Sequence, residues 1–182
     1  MGYVISTDAN DFHEGWFLML LMEKFKLPKI RKNCFMARVK IKFPLENQLF
    51  SCTISVRITD INYGNHLGND SVLSIIHEAR MQMLQHYGFT ELNAGGNSLI
   101  MGDVMIAFRG EAFYGDVLTV KVYAEEVTER SFDLLYHIGT VRSGQTIEIA
   151  HAKTGMVCFD YHTRKVAEMT TELRKVLMGS NH

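Results

Sequence analysis

The stretch ITDINYGNHLGNDSVLSIIHEAR, residues 58–80, sets two aspartates, three asparagines, two histidines and two glycines around a turn into an apolar helix. The first N–H groups of a helix have no partner within it and stand at the positive end of its dipole, so they suit an oxygen on which negative charge develops. The amides near Gly68, Asn69 and Asp70 are therefore a candidate oxyanion site, and Gly68, with no side chain, allows close approach or simply lets the chain turn. Asp70 beside it is the first choice for a nucleophile or water-orienting carboxylate, and also fits a plain first-turn charge. His66 can position water or donate to a carbonyl, and Asn62 and Asn69 can orient water, although all three residue types also serve turns. His77 reads as structural, and Glu78, about 12 Å along the helix from Asp70 at 1.5 Å per residue, is a second-choice carboxylate. Farther on, Asp103 interrupts an apolar run and needs a partner or a pocket. Lys153 and Thr154 form a pair that can meet a phosphate or remain solvated on a strand.

These residues need elements to hold them. In FSCTISVRIT, residues 50–59, apolar and polar residues alternate with the period of a strand that buries one face. Val72, Ile75, Ile76, Ala79 and Met83 recur at helical spacing, and Gly88 stands where a C-terminal cap belongs, so one helix is expected from Asn69 to Tyr87. Four alternating stretches come next, SLIMGDVMIAFRGEAF, DVLTVKVYAEEV, SFDLLYHIGTV and QTIEIAHAKTGMVCFDY, divided by short turn signals. Short connections imply antiparallel pairing, so a four-strand meander is expected before a short terminal helix in EMTTELRKVLM. One long helix and one sheet pack when the sheet curls around the helix, an α+β arrangement whose outer sheet face is left for another subunit.

Composition narrows the function classes. The 182 residues suit one domain, and 47% hydrophobic against 21% charged residues reads as an ordinary globular chain. Eight of the 19 basic residues lie between Lys24 and Lys42, and residues 43–182 carry 16 acids against 11 bases. That acidic main part offers no basic face for nucleic acid. Cys34, Cys52 and Cys158 have neither paired spacing nor a zinc-cluster pattern, which fits a reducing cytoplasm. The apolar run WFLMLLM, residues 16–22, is too short for a membrane span. Residues 1–35 do not share the strand and helix pattern of the rest of the chain and are expected to be an extension of the domain at 36–182.

Taken together, DINYGNHLGN after a strand, EAR within the helix and YGDVL at a later turn resemble the hotdog-fold acyl-CoA thioesterases of the 4-hydroxybenzoyl-CoA thioesterase-like family, over residues 50–162. The resemblance implies a long helix wrapped by a five-stranded antiparallel sheet, assembly as a homodimer or homotetramer, acyl-CoA sites at subunit interfaces, and neither metal nor organic cofactor. It also offers Lys153 and Thr154 a ligand in the phosphates or pantetheine arm of CoA. Aligned on His66 and Ala79-Arg80, Asp60 falls on the family's first aspartate and Asn62 on the second, the catalytic carboxylate. An amide cannot take a proton from water, so thioester hydrolysis here requires a carboxylate elsewhere, Asp70 first. Two other readings stay open: an acyl-CoA or acyl-carrier binding protein that has lost hydrolysis, and an enoyl-thioester hydratase using His66 and Asp70.

Overall fold

The computed structural model describes residues 39–44 and 48–179, within a unit that extends over Arg38–His182. The extension expected over residues 1–35 lies outside the described residues. The elements are β1 (Gln48–Ser55), a single 3-10 turn (Ile58–Asp60), α1 (Asn69–His86), β2 (Ser98–Phe108), β3 (Val117–Glu125), β4 (Ser131–Arg142), β5 (Gln145–Asp160), β6 (Lys165–Val166) and α2 (Thr171–Leu177).

Helix α1 runs where its periodicity places it. Gly68 is the N-cap in an extended conformation, and Val72, Ile75, Ile76, Ala79 and Met83 form its buried stripe. It ends at Tyr87, and Gly88 takes the left-handed conformation, at φ 75°, that closes many helices. The strands that face it bury alternate residues: Leu118, Val120 and Val122 on β3, and Phe132, Leu134, Tyr136 and Ile138 on β4. β5 contributes Ala150, Ala152, Thr154, Met156 and Cys158. The helix lies closest to β1 and β3. β4 and β5 meet at Ser143 and Gly144, both at positive φ, the conformation that a two-residue hairpin turn requires.

The core also takes in polar groups, and the main ones find partners, although Arg80 Nη1 has none among the described residues. Arg80 is 4% exposed and donates from Nε to Glu91 at 2.7 Å, while Tyr136 and the fully buried Thr154 share a hydroxyl bond at 3.2 Å. Burial raises the Glu91 carboxyl, but the hydrogen bond and charge of Arg80 outweigh it and hold the group below its ordinary value.

The sheet is antiparallel throughout, in the order β1-β3-β4-β5-β2, with the two-residue β6 added beside β5. Two expectations are corrected. The short β6 makes a sixth strand, and the meander is confined to β3-β4-β5, because β2 pairs with β5 and not with its successor β3. β2 ends at Phe108, five residues before the alternation in the sequence does, and the chain from Arg109 to Asp116 crosses to the far side of the sheet. Backbone bonds hold the crossing loop: Leu67 N–H donates to Ala112 O at 2.8 Å, and Gly115 N–H to Val56 O at 3.1 Å. Arg142 anchors it through the Glu111 carbonyl and the Asp116 carboxylate, and its guanidinium lies 4.7 Å from the centre of the Phe113 ring. The loop therefore passes directly against the segment that starts α1.

Candidate active site

The approach to α1 is built by its own side chains. Asp60 accepts the Arg57 N–H at 2.8 Å and so caps the start of the 3-10 turn, and the Asn62 carbonyl oxygen Oδ1 accepts the Gly64 N–H at 2.8 Å. Asn62 also exchanges backbone bonds within the loop, its N–H to His66 O and its O with Asn65 N–H, while Asn65 takes the left-handed conformation that asparagine tolerates. These bonds return the chain so that Ile61 bridges Leu67 and the His66 ring comes within 3.5 Å of the Asn62 amide. His66 Nδ1 is also 3.2 Å from Leu67 O; a proton there donates to that carbonyl and leaves Nε2 as an acceptor.

At the helix start, Gly68 N–H donates to Asp60 O at 2.8 Å. That amide is already used, so the oxyanion role expected of Gly68 passes to its neighbours. Among the described residues, the N–H groups of Asn69, Asp70 and Ser71 have no protein acceptor. A Cβ at Gly68 would sit 2.5 Å from Asp70 Oδ1, because the Asp70 carboxylate folds back over the cap, so a larger residue there would turn that carboxylate away.

A recess of about 150 Å³ opens beside these amides. His66 and Asn69 line it from the helix side, and Phe108, Gly110 and Glu111 line it from the end of β2 and the crossing loop. Glu111 is not among the candidates that sequence pattern singles out. Its only local signal is an acid in GEAFYGD, just ahead of the recognised YGDVL, and it reaches the site only because the loop crosses the sheet. Asp70 stands beside the recess on the helix but does not line it, and Asn62 reaches it only through His66.

The remaining candidates are elsewhere. Glu78 accepts from Gln82 at 2.7 Å and lines a separate recess with Arg57, Asp60 and Ser74. His77 is paired with Glu91 at 3.2 Å, a structural contact. Asp103 does have a partner, Lys153 Nζ at 3.4 Å, on the sheet face turned away from α1. Lys153 also meets Asp133 at 3.0 Å on that face, while Thr154 is fully buried on the opposite one. Neighbouring strand residues point to opposite faces, so Lys153 and Thr154 cannot hold one phosphate together.

Comparison with known proteins agrees with this architecture. Residues 56–177 match the thioesterase-like superfamily. Similar solved structures include a 1,4-dihydroxy-2-naphthoyl-CoA thioesterase from Synechocystis, 24% identical, with a TM-score of 0.65 over 73% of this chain and 98% of that one. The probable thioesterase YbaW from Escherichia coli is 26% identical, with a TM-score of 0.57 over 70% of this chain and 95% of that one. A gentisyl-coenzyme A thioesterase, 15% identical, superposes with a TM-score of 0.59 over 70% and 99% of the two chains. No curated protein matches the sequence. With the superfamily match spanning the helix and every long strand after it, and the hotdog arrangement of helix and sheet in place, the chain belongs to the thioesterase-like superfamily and is a thioester hydrolase.

Proposed function

We propose that this protein hydrolyses an acyl-CoA thioester in the recess between the start of α1 and the crossing loop, with Glu111 as the carboxylate that replaces the one lost at Asn62. The observation that carries this reading is the presence of Glu111 in the same recess as His66 and Asn69, beside the unpartnered amides of the helix start. The acyl carbonyl oxygen accepts from the Asn69 and Asp70 N–H groups, which stabilise the negative charge as it develops. Glu111 takes a proton from water, the water oxygen bonds to the acyl carbon, and the C–S bond breaks to release the CoA thiolate, which the same carboxyl then protonates. His66 and Asn69 orient the water. Asp70, exposed at the mouth, is the alternative base.

A homo-oligomer supports this chemistry. Ligand pockets commonly enclose roughly 300–1,000 Å³, so the recess of about 150 Å³ is too small for an acyl group with its pantetheine arm. β2 is an edge strand, and Met101, Val104, Met105 and Phe108 along it are 40–45% exposed, Met105 on the outer face and Val104 and Phe108 on the inner, so that a second copy pairing with the open edge can cover both faces. Phe108 also lines the recess, so a partner seated on β2 reaches the site. No described helix is long and apolar enough to cross a membrane. We place the protein in the cytoplasm, where CoA esters and the free thiols of Cys52 and Cys158 are compatible.

The test is a thiol-release screen over short, long and aromatic acyl-CoAs, including the hydroxylated aromatic esters for which two of the similar structures are named. Release by the wild type and loss in Glu111→Gln supports the assignment. Wild-type rates in a folded Glu111→Gln with loss in Asp70→Asn moves the base to Asp70. Tight acyl-CoA binding with no thiol release from any ester would identify a binding protein.

A further inference from the structure

We propose that His137, Glu148 and His151 form a binding site for one divalent transition-metal ion, Zn²⁺ by its ligand set, on the sheet face turned away from α1. In the β4–β5 register His137 lies directly opposite His151, and the ring centres are 5.0 Å apart. Glu148 would ordinarily face the other way, since it is three residues from His151 and strand side chains alternate. The register shift between Ile138 and Gly139 removes that parity: Ile138 pairs with Ala150 and Gly139 with Glu148, so Ile149 is the extra residue of a bulge. Bulges re-aim side chains, and this one brings the Glu148 carboxylate onto the face that carries both imidazoles.

The resulting distances suit a metal. Glu148 Oε1 lies 3.3 Å from His137 Nε2 and 3.5 Å from His151 Nε2, and the three ligand atoms all lie within 4.8 Å of one another. A tetrahedral ion with bonds of roughly 2.0–2.1 Å separates its ligands by about 3.3 Å. Both ring nitrogens of His151 are shielded from solvent; Nδ1 has no partner and Nε2 has only the Glu148 carboxylate at 3.5 Å, a long contact that coordination through Nε2 would replace. Phe43 packs edge-on against both rings, at 5.5 and 4.9 Å, and fixes their positions. Glu148 remains half exposed, and a recess lined by Thr119, Lys121 and His137 opens beside the cluster, which leaves access for the ion and room for a water as fourth ligand. Lys121, opposite His137, and Arg109, whose charge acts on His151, oppose a dication. The ion is therefore held by direct bonds to nitrogen and oxygen and not by the surrounding field. Two imidazoles and one carboxylate favour zinc or cobalt over magnesium and calcium, which take oxygen ligands.

The test is equilibrium dialysis of the chelator-treated full chain against Zn²⁺, with Co²⁺ absorption as the report of coordination. The expected result is one ion per chain, unmoved by excess Mg²⁺, with four-coordinate Co²⁺ bands. His137→Gln, Glu148→Gln and His151→Gln should each weaken binding by about 10²-fold or more and abolish those bands. His77→Gln should bind as the wild type does. If the more buried His151→Gln does not fold, His137→Gln and Glu148→Gln decide the matter, because both side chains are partly open to solvent. Absence of stoichiometric binding at micromolar Zn²⁺, or unchanged binding in folded His137→Gln and Glu148→Gln, overturns the proposal.

Discussion

At Asn62 the structure shows a loop-building role, and the proposed mechanism assigns the base to another residue. Asn62 Oδ1 caps the Gly64 N–H at 2.8 Å, and its amide meets His66, so the loop is intact although the position cannot act as a base. Glu111 is expected to have taken over. Glu111→Gln should lower thiol release by about 10²-fold or more with little change in stability, as its exposed side chain is not part of the core. In that background Asn62→Asp keeps the acceptor for Gly64 and returns a carboxylate to the family position. Part of the lost rate should reappear. Single-turnover measurements on the two variants check this, and no recovery would mean that position 62 does not reach the acyl carbon.

In the proposed mechanism the crossing loop brings Glu111 to the helix start, and two of the contacts that hold the loop can be tested by substitution. Gly110 backs onto β5 so closely that a Cβ would sit 2.6 Å from the Glu148 carbonyl oxygen. Backbone cannot yield as a side-chain end can. Gly110→Ala should destabilise the fold by about 1–3 kcal/mol, the usual range for overpacking, and should also depress thiol release because Glu111 is the next residue. Denaturant unfolding and kinetics measured on the same sample separate the two effects. The second contact is the Arg142 fork on Asp116, at 2.6 Å, which together with the Phe113 N–H holds the Asp116 carboxyl below its ordinary value. A depressed carboxyl stabilises the fold fully above its unfolded value of about 3.9, and that contribution fades as pH falls through the lower folded value. The stability advantage of the wild type over Asp116→Asn should therefore be largest above about pH 5 and shrink steadily on acidification through that window. Urea titrations at several pH values would show it, and a constant difference would count against the clamp.

At the scale of the whole molecule, the edge strand β2 decides whether one chain is enough. Its exposed Met101, Val104, Met105 and Phe108 sit beside open backbone hydrogen-bonding groups, a combination that solitary sheets avoid. Met105→Lys should leave the inner face of the sheet unchanged, since Met105 is opposite Lys153 on the outer side, and should repel a second copy of the strand. Sedimentation is expected to show a monomer with thiol release reduced at least about tenfold, given that Phe108 at the end of the same strand lines the recess. A fully active monomer, wild type or variant, would refute the shared site.

Much of this protein is written in short-range pattern. The stripe from Val72 to Met83, the alternation in β3, β4 and β5, and the polar turn before Gly68 each depend on residues a few positions apart, and periodicity reports such relations directly. That is enough for the helix, the strands and the resemblance to the hotdog family. The opposite facing of Lys153 and Thr154 is legible in the same way, from the period of two, which overrides their adjacency as grounds for joining them at one phosphate. Strand order is different in kind, because nothing within β2 distinguishes β3 from β5 as its neighbour; long-range pairing alone makes that choice. With β2 joined to β5, the chain has to cross the sheet, and the crossing carries Glu111 to the helix start. A bulge at Ile149 likewise breaks the local parity that would keep Glu148 away from His137 and His151. The sequence by itself determined which segments form helix and strand and where the helix presents its free amides, because those depend on the chemistry of adjacent residues. Only the tertiary structure decided which distant side chains share a face or a recess, because register and crossing are settled by the packing of the whole sheet.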